Sequence, residues 1–208
     1  MSTRIKFCGA TSWEDVALAV VAGASAVGMI FADSPRRIEM KEAERIASRI
    51  AGAPIAPVAV FVDPTLDAIR RVRDIFPGIA VQLCGNETPE FSASLGVEVI
   101  KVLHIGNESS DEVEKLCEQY SGTILFDTKA SGAYGGTGIP FDWSRVAPVA
   151  RRRRVFVAGG LTQDNVGELV RIVKPYGVDV RSGIETNGRK DAAKMKAFVR
   201  NVRENDAA

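Results

Sequence analysis

The sequence predicts an α/β fold, a single-domain (β/α)8 barrel that spans residues 1–208. Eight short apolar runs, rich in β-branched residues, alternate with eight helix-like segments along the whole chain. Strands of a parallel sheet are buried on both faces, so they are almost continuously apolar, as these runs are. The chain is short for this fold, which typically has about 250 residues, so large insertions are excluded. An open doubly wound sheet, which needs fewer repeats, is the alternative.

The predicted elements follow one another regularly. The strands lie at 5–8, 26–31, 56–62, 79–83, 97–103, 124–126, 155–158 and 178–180. The helix-like segments lie at 12–22, 41–50, 65–75, 89–95, 111–119, 142–150, 164–174 and 191–202. Several helices begin with Ser, Thr or Asp, which are preferred at the N-cap, and Ser12 with Asp15 forms a variant of the capping box. Glycines mark four helix ends: Gly23, Gly52, Gly78 and Gly96.

Composition limits the partners and the compartment. The chain carries 27 basic and 26 acidic residues, so no bulk attraction to nucleic acids or membranes is expected. We interpret the basic run at 151–154 as a solvated face before the seventh strand. The start lacks a signal-peptide core, and no run of about 18 apolar residues could span a membrane. We expect a cytoplasmic protein, and the sequence leaves open whether it is a monomer or a homodimer.

Cysteine and histidine usage favours free thiols and no metal site. The three cysteines, Cys8, Cys84 and Cys117, are scattered without CxxC spacing, which fits a reducing compartment. His104 is the single histidine, so a histidine-rich metal site is excluded.

Two reactive side chains stand at the downstream ends of predicted strands. Cys8 ends the first strand, and Asp127 follows the sixth. Ligands bind at the downstream ends of strands in parallel α/β folds, so we expect this thiol and this carboxyl to meet there. They form a possible base and acid pair.

The last two strands lead into glycine-containing loops. Gly159 and Gly160 follow the seventh strand, and Ser182 and Gly183 follow the eighth. Glycine lets backbone N–H groups approach an anion closely, and a following helix adds the positive end of its dipole. Barrel enzymes often bind phosphate at these two loops, so the sequence predicts a phosphorylated small-molecule ligand. Walker A and GxGxxG motifs are absent, which disfavours nucleotides.

Two further loops are candidate binding segments. Residues 128–140 form the longest irregular stretch and directly follow Asp127, so we predict a lid or binding loop there. The loop at 32–37 contains Arg36 and Arg37. These arginines could hold a carboxylate through paired hydrogen bonds, or they could simply be solvated.

Several short motifs stand in a fixed order along the chain. They are Lys-Phe-Cys-Gly at 6–9, Ser-Pro-Arg at 34–36, Val-Gln-Leu at 81–83, Asp127 with Tyr-Gly-Gly-Thr-Gly at 134–138 and Phe-Asp-Trp at 141–143, Gly-Gly-Leu at 159–161, and Val-Asp at 178–179 with Ser-Gly-Ile-Glu at 182–185. Together they resemble the phosphoribosylanthranilate isomerase family over essentially the whole chain. That family consists of (β/α)8 barrels of tryptophan biosynthesis, which agrees with the independent count of elements.

The resemblance implies an Amadori rearrangement of N-(5-phosphoribosyl)anthranilate to 1-(2-carboxyphenylamino)-1-deoxyribulose 5-phosphate. Asp127 would be the general acid, and we expect a dry environment or nearby negative charge to keep it protonated. Cys8 would be the general base, and we expect the site to lower its pKa. The resemblance implies that no metal or organic cofactor is needed.

The same resemblance assigns the substrate contacts. Arg36 would hold the anthranilate carboxylate, and Asp179 would belong to the substrate-binding set. Backbone groups around Gly159, Gly160, Ser182 and Gly183 would hold the phosphate. Arg181 stands where the family usually has a small residue, and we expect it to add a direct phosphate contact, although it could instead point to solvent or pair with a carboxylate.

Two other departures from the family pattern are visible. Cys84 replaces a usual histidine, and Ile139 replaces a common lysine. They bear on substrate affinity and on the 128–140 loop more than on the type of reaction. Two alternative functions remain: a related sugar-phosphate isomerase of histidine biosynthesis, which would normally use two carboxylates, and a non-catalytic barrel that binds a phosphorylated ligand.

Overall fold

Eight parallel strands form a closed barrel. The structure is a computed structural model that describes residues 2–129 and 141–206. The strands pair in chain order, and β8 pairs with β1 to close the sheet. The predicted barrel is thereby confirmed, and the open-sheet alternative is wrong.

The observed strands lie within about two residues of their predicted bounds. They are β1 Arg4–Cys8, β2 Ala26–Ile30, β3 Ala56–Phe61, β4 Ala80–Leu83, β5 Val99–Ile105, β6 Thr123–Thr128, β7 Val155–Val157 and β8 Gly177–Val180. The largest difference is at β5 and β6, which pair as far as Ile105 and Thr128. Both extend through polar residues that the apolar pattern did not include, because their backbone pairing continues to the downstream rim.

Helices cover the outside of the barrel. They are α1 Trp13–Ala22, α2 Met40–Ile50, α3 Leu66–Ile75, α4 Pro89–Ser94, α5 Ser110–Glu118, α6 Ala147–Ala150, α7 Val166–Val173 and α8 Ala192–Asp206. The prediction of a single helix at 142–150 is wrong in detail. A 3-10 turn, Trp143–Arg145, precedes the short α6. Asp142 caps that turn through its side chain, and Pro148 lies in the first turn of α6, where its missing N–H costs least.

A hairpin after β8 was not predicted. A 3-10 turn, Ser182–Ile184, leads into β9 Glu185–Thr186, which pairs antiparallel with β10 Arg189–Lys190. Asn187 and Gly188 between them both have positive φ. An Asn-Gly pair is the strongest sequence signal for a two-residue hairpin turn, so this element was readable from the sequence.

The apolar core has two parts, separated by the sheet. Between the sheet and the helices lies the larger part, which includes Phe7, Phe126 and Phe198. Inside the barrel, the upstream layers are apolar, with residues such as Val58, Ile100 and Phe156. The interior becomes polar only toward the downstream end, so the fold leaves that end for chemistry.

The basic run at 151–154 is mostly exposed, as predicted, but it also has a structural part. The Arg153 guanidinium donates to the carbonyl of Cys117 in the last turn of α5 and to those of Tyr120 and Gly122 after it. Arg154 lies over the Tyr176 ring, 5.4 Å from its centroid. Within residues 2–129 and 141–206, no helix is long and apolar enough to cross a membrane.

Candidate active site

A cavity of about 450 Å³ opens at the downstream end of the barrel. Seven of the nine predicted site residues line it: Cys8, Asp127, Gly159, Gly160, Asp179, Arg181 and Ser182. Gly183 lines an adjoining cavity of about 330 Å³, which shares Gly160 and Ser182 with the first. Arg36 does not line the main cavity. The strand ends therefore bring the thiol, the carboxyl and both glycine loops together.

Cys8 is buried at the end of β1. Burial raises the pKa of its thiol, while the positive charges of Lys6, Lys190 and Arg181 act in the opposite direction. The net shift is upward, so the expectation that the site lowers this pKa is wrong. Burial disfavours the charged form of any group, and here it outweighs the nearby cations.

Asp127 faces the same cavity from β6 and is partly buried. Burial raises its pKa, although the Thr128 N–H, which donates to Asp127 Oδ1 at 2.8 Å, and the neighbouring His104 partly oppose the shift. His104 lies opposite Asp127 in the β5–β6 register. The raised pKa favours a protonated carboxyl, as expected from the sequence.

The loop after β7 packs directly against Asp127. Gly159 has φ +87°, and a Cβ atom there would lie 2.2 Å from Thr128 Oγ1 and 3.0 Å from Asp127 Oδ1. Only glycine combines this backbone conformation with so close an approach. The predicted helix dipole does not begin directly after the glycines. A turn over residues 162–165 separates them from the start of α7.

The second glycine loop touches the first. A Cβ atom on Gly183 would lie 1.9 Å from the carbonyl oxygen of Leu161, so the two loops could not pack this closely with a larger residue. Lys194 of α8 also lines the smaller cavity, and its ammonium donates to the Glu185 carbonyl at 2.7 Å. Arg181 lines the main cavity, and its prediction as a phosphate contact stays a prediction.

A buried ion pair lies below Cys8. Lys6 Nζ is 2.8 Å from Asp179 Oδ1, and the Lys6 side chain is 0% exposed. Burial alone would lower the pKa of Lys6, but the Asp179 carboxylate, together with Cys8 and Cys84, raises it. The family resemblance implies that Asp179 belongs to the substrate-binding set, yet one of its oxygens is already bound to Lys6. A lysine inside an apolar strand buried on both faces was the available signal for this pair.

Arg36 is held by a second network of charged groups, which is partly buried. Its Nε donates to Glu185 Oε1 at 2.9 Å, and its Nη2 donates to Glu185 Oε2. Lys190 Nζ lies 2.9 Å from the same Oε1 and donates to the Cys8 carbonyl at 2.5 Å. Arg36 is therefore neither a plain solvated residue nor a free carboxylate receptor. The hairpin carries Glu185 and Lys190, and neither was predicted as a site residue.

The predicted lid at 128–140 lies almost entirely outside the described residues, which resume at 141. The same holds for the motif at 134–138 and for Ile139. Among the residues that the structure does describe, no group of three or more His, Cys, Asp or Glu side chains could hold a metal ion.

Comparison with known proteins identifies the family. The profile described as N-(5'phosphoribosyl)anthranilate (PRA) isomerase matches residues 5–201. The chain belongs to this family. A relative from Pelobacter propionicus, named N-(5'-phosphoribosyl)anthranilate isomerase, is 39% identical over 203 residues, which cover 97% of this chain and 96% of the relative.

Two solved structures of PRA isomerases are also similar. The enzyme from Thermotoga maritima aligns with a TM-score of 0.87 at 33% identity, covering 97% of this chain and 99% of that one. A structure in complex with reduced 1-(o-carboxyphenylamino)-1-deoxyribulose 5-phosphate has a TM-score of 0.83 at 32% identity, with the same coverages. The chain is thus an aldose–ketose isomerase of tryptophan biosynthesis, and the predicted family resemblance is confirmed.

Cys84, which stands where the PRA isomerase family usually has a histidine, follows β4 and lines the cavity. Burial raises the pKa of its thiol to about 12, so it stays neutral. Gln82 Nε2 donates to Cys84 Sγ at 3.3 Å. Gln82 Oε1 is buried and has no hydrogen-bond partner within the described residues. These two side chains therefore supply weak or unused polar groups to the cavity wall.

Proposed function

We propose that this chain catalyses the Amadori rearrangement of N-(5'-phosphoribosyl)anthranilate, with Asp127 as general acid and Cys8 as general base. The observation that carries the proposal is that a carboxyl with a raised pKa and a thiol face one cavity beside two glycine loops. An aldose–ketose rearrangement needs one group that gives a proton and one that takes a proton, both beside the bound sugar.

The first step opens the furanose ring. Asp127 gives its proton to the ring oxygen as the bond from that oxygen to C1′ breaks. The lone pair of the anthranilate nitrogen forms the C=N bond of a Schiff base. A carboxyl that stays protonated near neutral pH can supply this proton, and burial of Asp127 favours that form.

The second step moves a proton from carbon. Cys8, as thiolate, removes the proton from C2′, and the electron pair of that C–H bond forms a C1′=C2′ bond while the Schiff-base nitrogen is neutralised. The resulting enolamine tautomerises to the ketone by taking a proton at C1′ and losing one from the C2′ hydroxyl. The substrate's own nitrogen accepts the electrons, so the proposal needs no organic cofactor.

The remaining predicted residues have binding roles in this proposal. Backbone groups of Gly159, Gly160, Ser182 and Gly183 hold the phosphate, and Arg181 adds a charged contact from the cavity wall. Arg36 receives the anthranilate carboxylate while Glu185 fixes its guanidinium. Asp179 binds the sugar through the oxygen that does not accept from Lys6.

Loss of substrate fluorescence in the presence of purified protein tests the activity. Cys8→Ala and Asp127→Asn should each lower kcat by at least about 100-fold, the lower range for acid–base groups. Cys117→Ala is the matched control, because Cys117 is a buried thiol on α5 outside the cavity.

Circular dichroism should show that all three variants fold. Near-normal turnover of Cys8→Ala or Asp127→Asn would contradict the assigned role. A wild-type protein that binds the product but shows no turnover would instead support the non-catalytic alternative.

A further inference from the structure

Lys6 is a fully buried lysine that stands two residues before the proposed base on the same strand. Alternate residues of a strand point to the same face, so Lys6 and Cys8 both face the barrel interior, with Lys6 one layer deeper. Its ammonium binds Asp179 at 2.8 Å and does not line the cavity. The proposed reaction gives this buried charge no role.

The Lys6 ammonium lies close to the Cys8 sulfur. A Cβ atom on Gly28 would lie 3.0 Å from Lys6 Nζ and also 3.0 Å from Cys8 Sγ, so the two atoms are no more than 6.0 Å apart. Gly28 on β2 leaves room for both side chains. An opposite charge within about 4–6 Å favours the ionised form of a group, typically by one to three pH units in its titration.

Other charged groups also surround Cys8. Lys190 of the hairpin and Arg181 after β8 act with Lys6, whereas Asp179 of β8 acts against them. Lys190 is paired with Glu185, and Cys84 at the end of β4 is neutral. Of the charges that oppose the effect of burial on the pKa of Cys8, Lys6 has the largest influence.

We propose that Lys6 is a positioning residue that stabilises Cys8 as a thiolate inside the barrel. Asp179 fixes the ammonium beside the sulfur and in doing so offsets part of its effect. The proposal rests on the proposed role of Cys8 as base, because only a base needs the ionised form. It explains why a lysine and an aspartate, both costly to bury, lie under the catalytic end of the barrel.

Alkylation by iodoacetamide measures this effect on the thiol itself, without substrate. The thiolate sulfur displaces iodide, so the rate follows the ionised fraction of Cys8 as pH rises. A Cys84→Ser/Cys117→Ser background leaves Cys8 as the single thiol. In that background, Lys6→Met should move the alkylation midpoint to higher pH by at least about one unit. Asp179→Asn should move it to lower pH.

Opposite shifts of the alkylation midpoint in Lys6→Met and Asp179→Asn distinguish the proposal from a structural role. A structural role would shift the midpoint of both variants in the same direction or leave both unchanged. Lys6→Met leaves Asp179 buried without its partner and can prevent folding. The double variant Lys6→Met/Asp179→Asn removes both charges. Its comparison with Asp179→Asn isolates the ammonium, and the double variant should titrate at higher pH. Equal midpoints in these two folded proteins would overturn the proposal.

A second readout separates this proposal from the proposed function. If Cys8 is the base, the acidic limb of the kcat/KM profile should move with the alkylation midpoint in Lys6→Met. Full turnover of Cys8→Ala would remove Cys8 from the reaction, yet the alkylation midpoints would still report whether Lys6 controls the thiol. The alkylation midpoints therefore test the role of Lys6, and the turnover of Cys8→Ala separately tests the role of Cys8 as base.

Discussion

Among the single residues of the cavity, Asp127 and Cys8 are two groups whose protonated forms are both favoured by burial. In the proposed mechanism burial favours the role of Asp127, because a general acid must hold a proton before the substrate arrives. Burial opposes the proposed role of Cys8, because a general base must be deprotonated before it can accept a proton. Cations around the sulfur, and Lys6 above all, reduce that conflict. The same buried environment thus favours the proposed acid directly and the proposed base only with the help of nearby positive charge.

Arg36 provides the sharpest test of substrate binding at this scale. If it binds the anthranilate carboxylate, Arg36→Ala should chiefly raise KM, with a loss in kcat/KM on the order of 2–4 kcal/mol for a desolvated charged contact. Arg37→Ala is the matched control, since Arg37 is the exposed neighbour in the same loop.

The kinetics of Arg36→Ala also depend on Glu185, because its carboxylate loses two donors when Arg36 is removed. Among the residues that the structure describes, Lys190 is then its remaining charged partner. Melting temperatures should therefore be measured alongside the kinetics. An unchanged kcat/KM in a stable Arg36→Ala protein would show that Arg36 serves the network and not the substrate.

At the scale of elements, two short pieces outside the regular repeat position the site. The β9–β10 hairpin delivers Glu185 and Lys190 to Arg36 and to the Cys8 carbonyl. The loop after β7 places Gly159 against Asp127 and Thr128. The loop acts through close backbone approach, which a larger side chain at Gly159 would prevent, whereas the hairpin acts through the charged side chains that it carries.

Gly159→Ala tests this approach. The added methyl group would lie 2.2 Å from Thr128 Oγ1, so the loop must move away from Asp127. We expect a clear fall in kcat/KM, because displacement of about 1 Å at a catalytic group can cost on the order of 100-fold.

Gly52→Ala controls for backbone strain. Gly52 has a similar φ of +81°, but a Cβ atom there meets nothing within 4 Å. Both variants should lose about 1 kcal/mol of stability from the left-handed conformation, and only Gly159→Ala should lose activity. Equal kinetics in the two variants would mean that the loop tolerates displacement from Asp127.

In the whole molecule, the eight strand–helix repeats could be predicted from the sequence, because strands buried on both faces are almost continuously apolar. The same logic located Cys8, Asp127 and the glycine loops at strand ends. Lys6 was missed because its chemistry depends on Asp179, more than 170 positions away in the chain. The sign of the pKa shift at Cys8 was also missed, since it reflects a balance of burial and several charges that converge only in the folded barrel.

The raised pKa of Asp127 has a consequence for the stability of the whole protein. Its folded-state value lies above the unfolded value of about 4, so the folded protein holds this proton more tightly. The stability that this preference contributes is fully present below about pH 4 and is lost as pH rises through the folded pKa. Asp127→Asn removes the charge and keeps an oxygen that can accept from the Thr128 N–H.

Asp127→Asn should therefore be more stable than the wild type at neutral pH while losing turnover, and the difference in melting temperature should vanish toward about pH 4. Asp142→Asn is the contrasting control. Hydrogen bonds from Ser144 lower the pKa of the Asp142 carboxyl, so its removal should destabilise the protein at neutral pH and matter less in acid. Melting curves from acid to neutral pH measure both effects. A lower melting temperature for Asp127→Asn at neutral pH would mean that the Asp127 carboxylate, and not the acid, is the form that the folded barrel prefers.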